Sequence, residues 1–255
     1  KAYQGISEIG EDQNTEVENQ DNSQFIDMSL AKDIEAYFQE NGIDHEKVAY
    51  CITDLEHNIK YSMNEKDEFI AASIYKLPLA MLYYDKVNEG EYTLDSTFTY
   101  SGYMHEGAGV ISSNYGIGSQ VPLSDLLNDL IIYSDNDAGH ILYENLGGWK
   151  EYKEAMTKYT DSISENYYTM DNVTTANTMN DVVTYLYDHK EDYKGLIKNM
   201  EKAEPGEYLD RDTQLSMPQK YGMYDSALNS VGFVECNTSY SIVVLTSLGD
   251  KGADV

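Results

Sequence analysis

A serine and a lysine three residues apart, Ser73 and Lys76, sit in "FIAASIYKLPLAMLYY" (69–84), the most apolar stretch of a 255-residue chain. On a helix, residues at this spacing share a face, so the Lys76 amine can reach the Ser73 hydroxyl. Burial penalises an ammonium, depresses its pKa and turns the amine into a proton acceptor. A helix N-terminus at Ser73 would also favour an alkoxide or tetrahedral oxyanion. The combination is an activated serine nucleophile. The competing reading is a lysine that snorkels out at a helix start. Spacing alone does not decide, because Ser29 and Lys32 repeat it. Lys32, however, stands among Asp33, Glu35 and Glu40 on a polar helix face, whereas Lys76 runs into Leu77, Pro78, Leu79, Ala80, Met81 and Leu82.

Two further groups bear on the choice. "Ser134-Asp135-Asn136" falls between two helical patterns, where serine and aspartate alone would read as caps. "Lys220-Tyr221-Gly222" precedes a glycine-punctuated run of β-branched residues, where a lone lysine would read as surface. In this order the three resemble the motifs of the penicillin-recognising serine hydrolases, the class A β-lactamases and related D,D-peptidases. That pattern is Ser-x-x-Lys opening a buried helix, Ser-Asp-Asn in the helical lobe, and Lys-Thr-Gly or Lys-Ser-Gly on an edge strand. The resemblance runs from about Ser29 to Leu248 and takes in "AASIYKLPLA", "GAGVI", "PLSDLLNDLIIYSDNDAGHILYENLGG" and "TTANTM".

The resemblance implies a role for each matching position. Ser73 would be the acylated nucleophile and Lys76 its base or proton relay. Ser134 would pass a proton to the leaving nitrogen, and Asn136 would hydrogen-bond the substrate's amide side chain. Lys220 would supply positive potential for a substrate carboxylate, and Tyr221 and Gly222 beside it would belong to the substrate-binding strand. The backbone N–H groups of Ser73 and Met223 would form the oxyanion hole.

Two positions depart from the family pattern. Tyr221 stands where the family has a small hydroxyl residue. The family's Glu-x-x-Leu-Asn of the Ω-loop, whose glutamate activates the deacylating water, is missing from "SISENYYTMDNVTT". Glu165 is the only glutamate there, and Asp171-Asn172 is the other acidic option. Without a positioned base, an acyl-enzyme would form and hydrolyse slowly.

The chain is long enough, and with 41% hydrophobic residues apolar enough, to bury a sizeable core. Its formal charge of -28 argues against nucleic acid and anionic membrane as partners. Arg211, the single arginine, lies between Asp210 and Asp212 and reads as a surface ion pair. Two cysteines, Cys51 and Cys236, are too few for a disulfide framework and read as small buried hydrophobes. No histidine pattern indicates a metal site, and no cofactor is expected.

Residues 1–24 read as an acidic, solvated tether ahead of a domain at 25–255. "SLAKDIEAYFQENG" predicts a helix stopped by Gly42, and "KVAYCITDL" with "NIKYSMNE" predicts a hairpin. Helical patterns then dominate a lobe of roughly 77–200, and the tail predicts two or three antiparallel strands. The fold class is therefore α+β: a sheet built from both ends, flanking helices and an inserted helical lobe.

The expected function is a β-lactamase-type serine hydrolase that cleaves β-lactam amides through an acyl-enzyme on Ser73. The alternatives are a D,D-peptidase or other penicillin-binding acyl-hydrolase with slow deacylation, or a non-catalytic envelope module on the same fold. The expected ligand is a small β-lactam or a D-Ala-D-Ala-like peptide, bound by a monomer. A chain that starts at Lys1 behind a polar tether suggests a secreted or cell-envelope protein, lipid-tethered through that segment.

Overall fold

The computed structural model describes residues 29–255. The expected tether at 1–24 lies outside the described residues. The chain divides into two compact units between His45 and Glu46. Within the first, helix α1 spans 29–41 and buries Phe38 while leaving Lys32 exposed. Gly42, at φ +62, ends it. The Ile43 amide donates to Phe38 O at 2.9 Å and the Gly42 amide to Gln39 O at 3.4 Å, the paired bonds of a glycine stop.

The second unit runs, in chain order, through β1 (Val48–Asp54), β2 (Ile59–Met63), β3 (Phe69–Ile70), α2 (Lys76–Asn88), β4 (Thr97–Thr99), α3 (Val110–Asn114) and β5 (Gln120–Pro122). It continues with α4 (Leu123–Ile132), α5 (Asn136–Asn145), α6 (Trp149–Met156), β6 (Val173–Thr174), α7 (Ala176–Asp188) and α8 (Lys194–Met200). Strands β7 (Gln219–Tyr224), β8 (Ala227–Val234) and β9 (Tyr240–Thr246) close the order. The main sheet is ordered β2-β1-β9-β8-β7. Every neighbouring pair in it is antiparallel. A sheet made from both ends, with helices α2–α8 between them, is the α+β arrangement expected.

Helix α2 is apolar all round its first two turns, and Lys76 through Tyr83 are buried. Pro78 fits because it occupies the first turn, where an amide N–H would have no helical partner. Helix α4 buries Leu123, Leu126, Leu127, Leu130 and Ile131, the i, i+3, i+4, i+7, i+8 stripe of a core-facing helix. Thr175 caps α7 by accepting from the Thr178 amide.

Three readings of the sequence need correction. Ser73 and Lys76 do not share one α-helix: Ala72–Tyr75 is a 3₁₀ turn, and α2 begins at Lys76. Helices α3 and α8 were not expected; each is too short to show a clear apolar period. Cys51 is buried, but Cys236 is exposed, so only one of the two behaves as a core residue.

Candidate active site

Ser73 lies at the junction of β3 and α2, held against the sheet edge. The segment before it contains Ala72 at φ +50, a left-handed conformation that costs a residue with a Cβ about 1 kcal/mol. Two asparagines hold that turn. Buried Asn229, on β8, donates to Ile70 O at 2.8 Å and Ala71 O at 3.0 Å and accepts from the Thr246 amide at 3.0 Å. Asn172 accepts from the Ala71 amide at 2.8 Å and donates to Ala72 O at 2.8 Å. Gly222 of β7 completes the contact, since a Cβ there would stand 2.7 Å from Ser73 N and 2.9 Å from Ile74 N. Only glycine lets the edge strand approach this closely.

Lys76 is fully buried, and its Nζ is surrounded by acceptors. It lies 2.6 Å from Ser134 O, 2.7 Å from Asn136 Oδ1, 3.0 Å from Ser73 Oγ and 3.3 Å from Ser134 Oγ. Burial pushes its pKa down to about 8, against an opposing pull from Asp135 and Glu106. A neutral amine has two N–H donors and one lone pair. The carbonyl and amide oxygens can only accept, so they take the two N–H groups. The lone pair is left for the proton of Ser73, and that is the arrangement of a base.

Ser134 stands between α4 and α5 at φ +55, a second strained non-glycine position. Asp135 fixes it from the next residue. Its carboxylate caps α5 by accepting from Ala138 N at 2.9 Å and also accepts from Ile111 N at 3.0 Å. Gly109, in "GAGVI", has no Cβ to collide with that carboxylate. Asp137, two residues along, accepts from the Glu106 amide at 2.7 Å, the Gly107 amide at 3.2 Å and the Tyr100 hydroxyl. Burial works to raise Asp137, but these hydrogen bonds outweigh it and hold the carboxyl below its usual range.

Lys220, on β7, is also fully buried. Its Nζ lies 3.0 Å from Ser134 Oγ and 2.6 Å from Tyr221 O, with the Tyr221 ring centroid 4.2 Å away. That ring stacks on Tyr208 at 4.6 Å and an interplanar angle of 10°. Burial first, and the neighbouring Lys76 second, push the Lys220 pKa well below its ordinary value. The Ser134 hydroxyl therefore stands between two amines. Lys220, expected to supply positive potential for a substrate carboxylate, is placed with its buried amine against Ser134 Oγ, Tyr221 O and a tyrosine face.

An open groove in front of Ser73 is lined by Asn136, Glu106, Asp171, Asn172, Met170 and Tyr224 among others. Met223, also lining it, is exposed. The expected deacylation acid, Glu165, is exposed and does not line this groove; Asp171 does. The loop between them is held from beneath by buried Lys153, which donates to Tyr167 O at 2.6 Å, Thr169 O at 2.9 Å and to Asp171 O. The sequence motifs did not single out Asn229, Lys153, Glu106 or Tyr208. Arg211 is at the surface, its Nε 3.0 Å from Asp212 Oδ2, as expected from its neighbours. No group of three or more His, Cys, Asp or Glu side chains suited to a metal occurs among the described residues.

No curated protein matches the sequence closely enough to count as a relative. Solved structures do resemble the fold. The TLA-3 extended-spectrum β-lactamase is 20% identical, covering 89% of this chain and 92% of its own, with a TM-score of 0.74. PBP-A is 16% identical, with 81% and 84% covered and a TM-score of 0.71, and a variant of it has been solved as an acyl-enzyme complex with penicillin G at the same values. A β-lactamase from Chitinophaga pinensis is 21% identical, with 81% and 88% covered and a TM-score of 0.68. The model of one family, the beta-lactamase enzyme family, matches residues 29–254, nearly the whole described chain, and the chain belongs to that family.

Proposed function

We propose that the protein is a serine acyl-hydrolase of the β-lactamase type, in which Ser73 opens an amide such as that of a β-lactam. The observation that carries this reading is the set of contacts at Lys76 Nζ, which leaves its lone pair directed at Ser73 Oγ, 3.0 Å away. Proton transfer requires this range. As Lys76 takes the hydroxyl proton, Ser73 Oγ bonds to the acyl carbon and the carbonyl becomes an oxyanion. The C–N bond then breaks, and the nitrogen leaves with a proton delivered through Ser134. Lys220 holds the Ser134 hydroxyl toward that nitrogen.

The oxyanion would sit between the backbone N–H groups of Ser73 and Met223. Tyr224 and Ala227 close a two-residue hairpin as a hydrogen-bonded pair, so the alternating register leaves Met223 unbonded to β8. Because β7 is the sheet edge, its N–H faces outward, on the side where Gly222 touches Ser73. Such donors are the largest single term in many acyl transfers.

Deacylation is the slow half of this reading. Glu165 stands outside the groove, which leaves Asp171 as the loop acid that lines it. The protein would then behave more like a penicillin-binding acyl-hydrolase than a fast lactamase. Steady-state turnover of a chromogenic cephalosporin tests this. Slow turnover after a stoichiometric burst, further slowed by Asp171→Asn and unchanged by Glu165→Ala, is expected. Fast turnover that depends on Glu165 would overturn it. Export to the cell exterior or envelope belongs to the same proposal and is tested by fractionation.

A further inference from the structure

We infer that Lys153, on α6, is a positioning residue for deacylation: it fixes Asp171 at the groove by binding the carbonyls of the loop that carries it. The inference rests on the reading of Asp171 given above. Lys153 is buried, and its Nζ donates to Tyr167 O at 2.6 Å, to Thr169 O at 2.9 Å and to Asp171 O. The Tyr167 hydroxyl donates back to Lys153 O at 3.2 Å. The ring centroids of Tyr167 and Trp149 lie 5.0 and 5.4 Å from Nζ. Two buried lysines are told apart by what surrounds them. Lys76 meets hydroxyls, which can donate to a neutral amine. Lys153 meets three carbonyls, which can only accept, and two aromatic faces. Burial lowers its pKa, yet a neutral amine would leave one carbonyl facing a lone pair. The carbonyls and the rings favour the ammonium.

Side-chain packing does not fix this stretch of the loop, because Tyr168, Thr169, Met170 and Asp171 are all exposed. Its flanks are tied separately. The Asn166 amide and side chain donate to Glu68 at 3.0 and 2.8 Å, and Asn172 is bonded to Ala71 and Ala72. Between those ties, the carbonyls of every second residue turn inward onto one ammonium. Asp171 is the last of them and itself lines the groove in front of Ser73. In deacylation a water oxygen bonds to the acyl carbon as Asp171 takes the water's proton. The C–Oγ bond then breaks, and that proton returns to Ser73 Oγ. Asp171 must stand within hydrogen-bond reach of the water, so the path of the loop governs this step. Acylation is less exposed to the loop, because Asn229 holds the turn before Ser73 from the sheet.

Benzylpenicillin is the probe. Growth of the adduct mass on the intact protein gives acylation, and its decay after removal of free penicillin gives deacylation. Lys153→Met keeps the stem and removes the charge and the donors. It is expected to slow deacylation on the order of 100-fold, the cost of misplacing a reacting group by about an ångström, and to change acylation little. Asp171→Asn should slow deacylation alike. The double variant should be no slower than either single one, because both act on one step through one group. Lys153→Gln, which keeps two N–H donors, should fall between, and serves where the methionine variant does not fold. Normal deacylation by the Lys153 variants, with Asp171→Asn slow, overturns the inference and leaves Asp171 in its role. So does a double variant in which the two effects multiply, or an equal slowing of both half-reactions, the mark of a merely structural residue. Normal deacylation by Asp171→Asn removes the Asp171 reading itself, and the inference with it.

Discussion

The Lys220 amine lies 3.0 Å from the Ser134 hydroxyl and has no surface open to the groove. We propose that Lys220 acts through Ser134, as a positioning residue for the proton relay. Lys220→Met should slow acylation on the order of 100-fold, the span of one lost acid–base contact, with little change in the affinity for the substrate. The split between rate and affinity, from single-turnover acylation over a concentration series, checks this. A large loss of affinity for carboxylate-bearing substrates alone would restore Lys220 as an anchor.

The pH dependence of acylation follows from Lys76. Its amine must be neutral to accept the Ser73 proton, and burial has pushed its pKa down to about 8. The rate should therefore rise as pH increases toward that value and level off above it. Glu106 and Asp135 both stabilise the ammonium and raise this pKa, while the nearby Lys220 shares the cavity. Glu106→Gln removes one of the raising charges, so the midpoint should move to lower pH. A pH–rate profile of single-turnover acylation reads both effects, and a midpoint moving upward would contradict the assignment.

Gly222→Ala tests the seating of Ser73 against the sheet edge. The new Cβ would stand 2.7 Å from Ser73 N, 2.9 Å from Ile74 N and 3.0 Å from Ala71 O, all backbone atoms that cannot swing aside. The strand must retreat, and the two oxyanion donors separate. A displacement of this kind costs about 100-fold in rate. Acylation should fall by that factor while circular dichroism retains the native spectrum.

Asn229→Ala addresses the strain stored before Ser73. The side chain makes three bonds, to Ile70 O, Ala71 O and the Thr246 amide, and all three partners would lose them in a buried place. At about 1–3 kcal/mol for each unsatisfied group, partly relieved by relaxation, a loss of roughly 3 kcal/mol is expected. Urea unfolding measures it. Because Ala72 is then free to leave φ +50, acylation should slow more than stability alone explains.

Much of this site was legible in the sequence, for a physical reason. Ser73 with Lys76 and Ser134 with Asn136 are short-range patterns beside helices whose apolar runs are plain in the sequence. Lys76 could be told from Lys32 by its neighbours, and the structure buries the first and exposes the second. What could not be read depends on partners distant in the chain. Asn229 is 158 residues from Ala71, so its clamp appears only when the sheet has formed. Lys153 looked like any lysine of a polar helix until the loop carbonyls closed over it. Tyr221 could be recognised as a departure, but its consequence, a ring laid under Lys220, needed Tyr208 from a separate loop. Glu165 was chosen by residue type, and the path of the loop placed it outside the groove.

Acylation of Ser73 is read most directly by intact mass after incubation with a penicillin, followed by peptide mapping of the adduct. One added acyl group per chain is expected, located on the peptide carrying Ser73 and abolished by Ser73→Ala. An adduct that persists in Ser73→Ala, or one mapped to another residue, would contradict it.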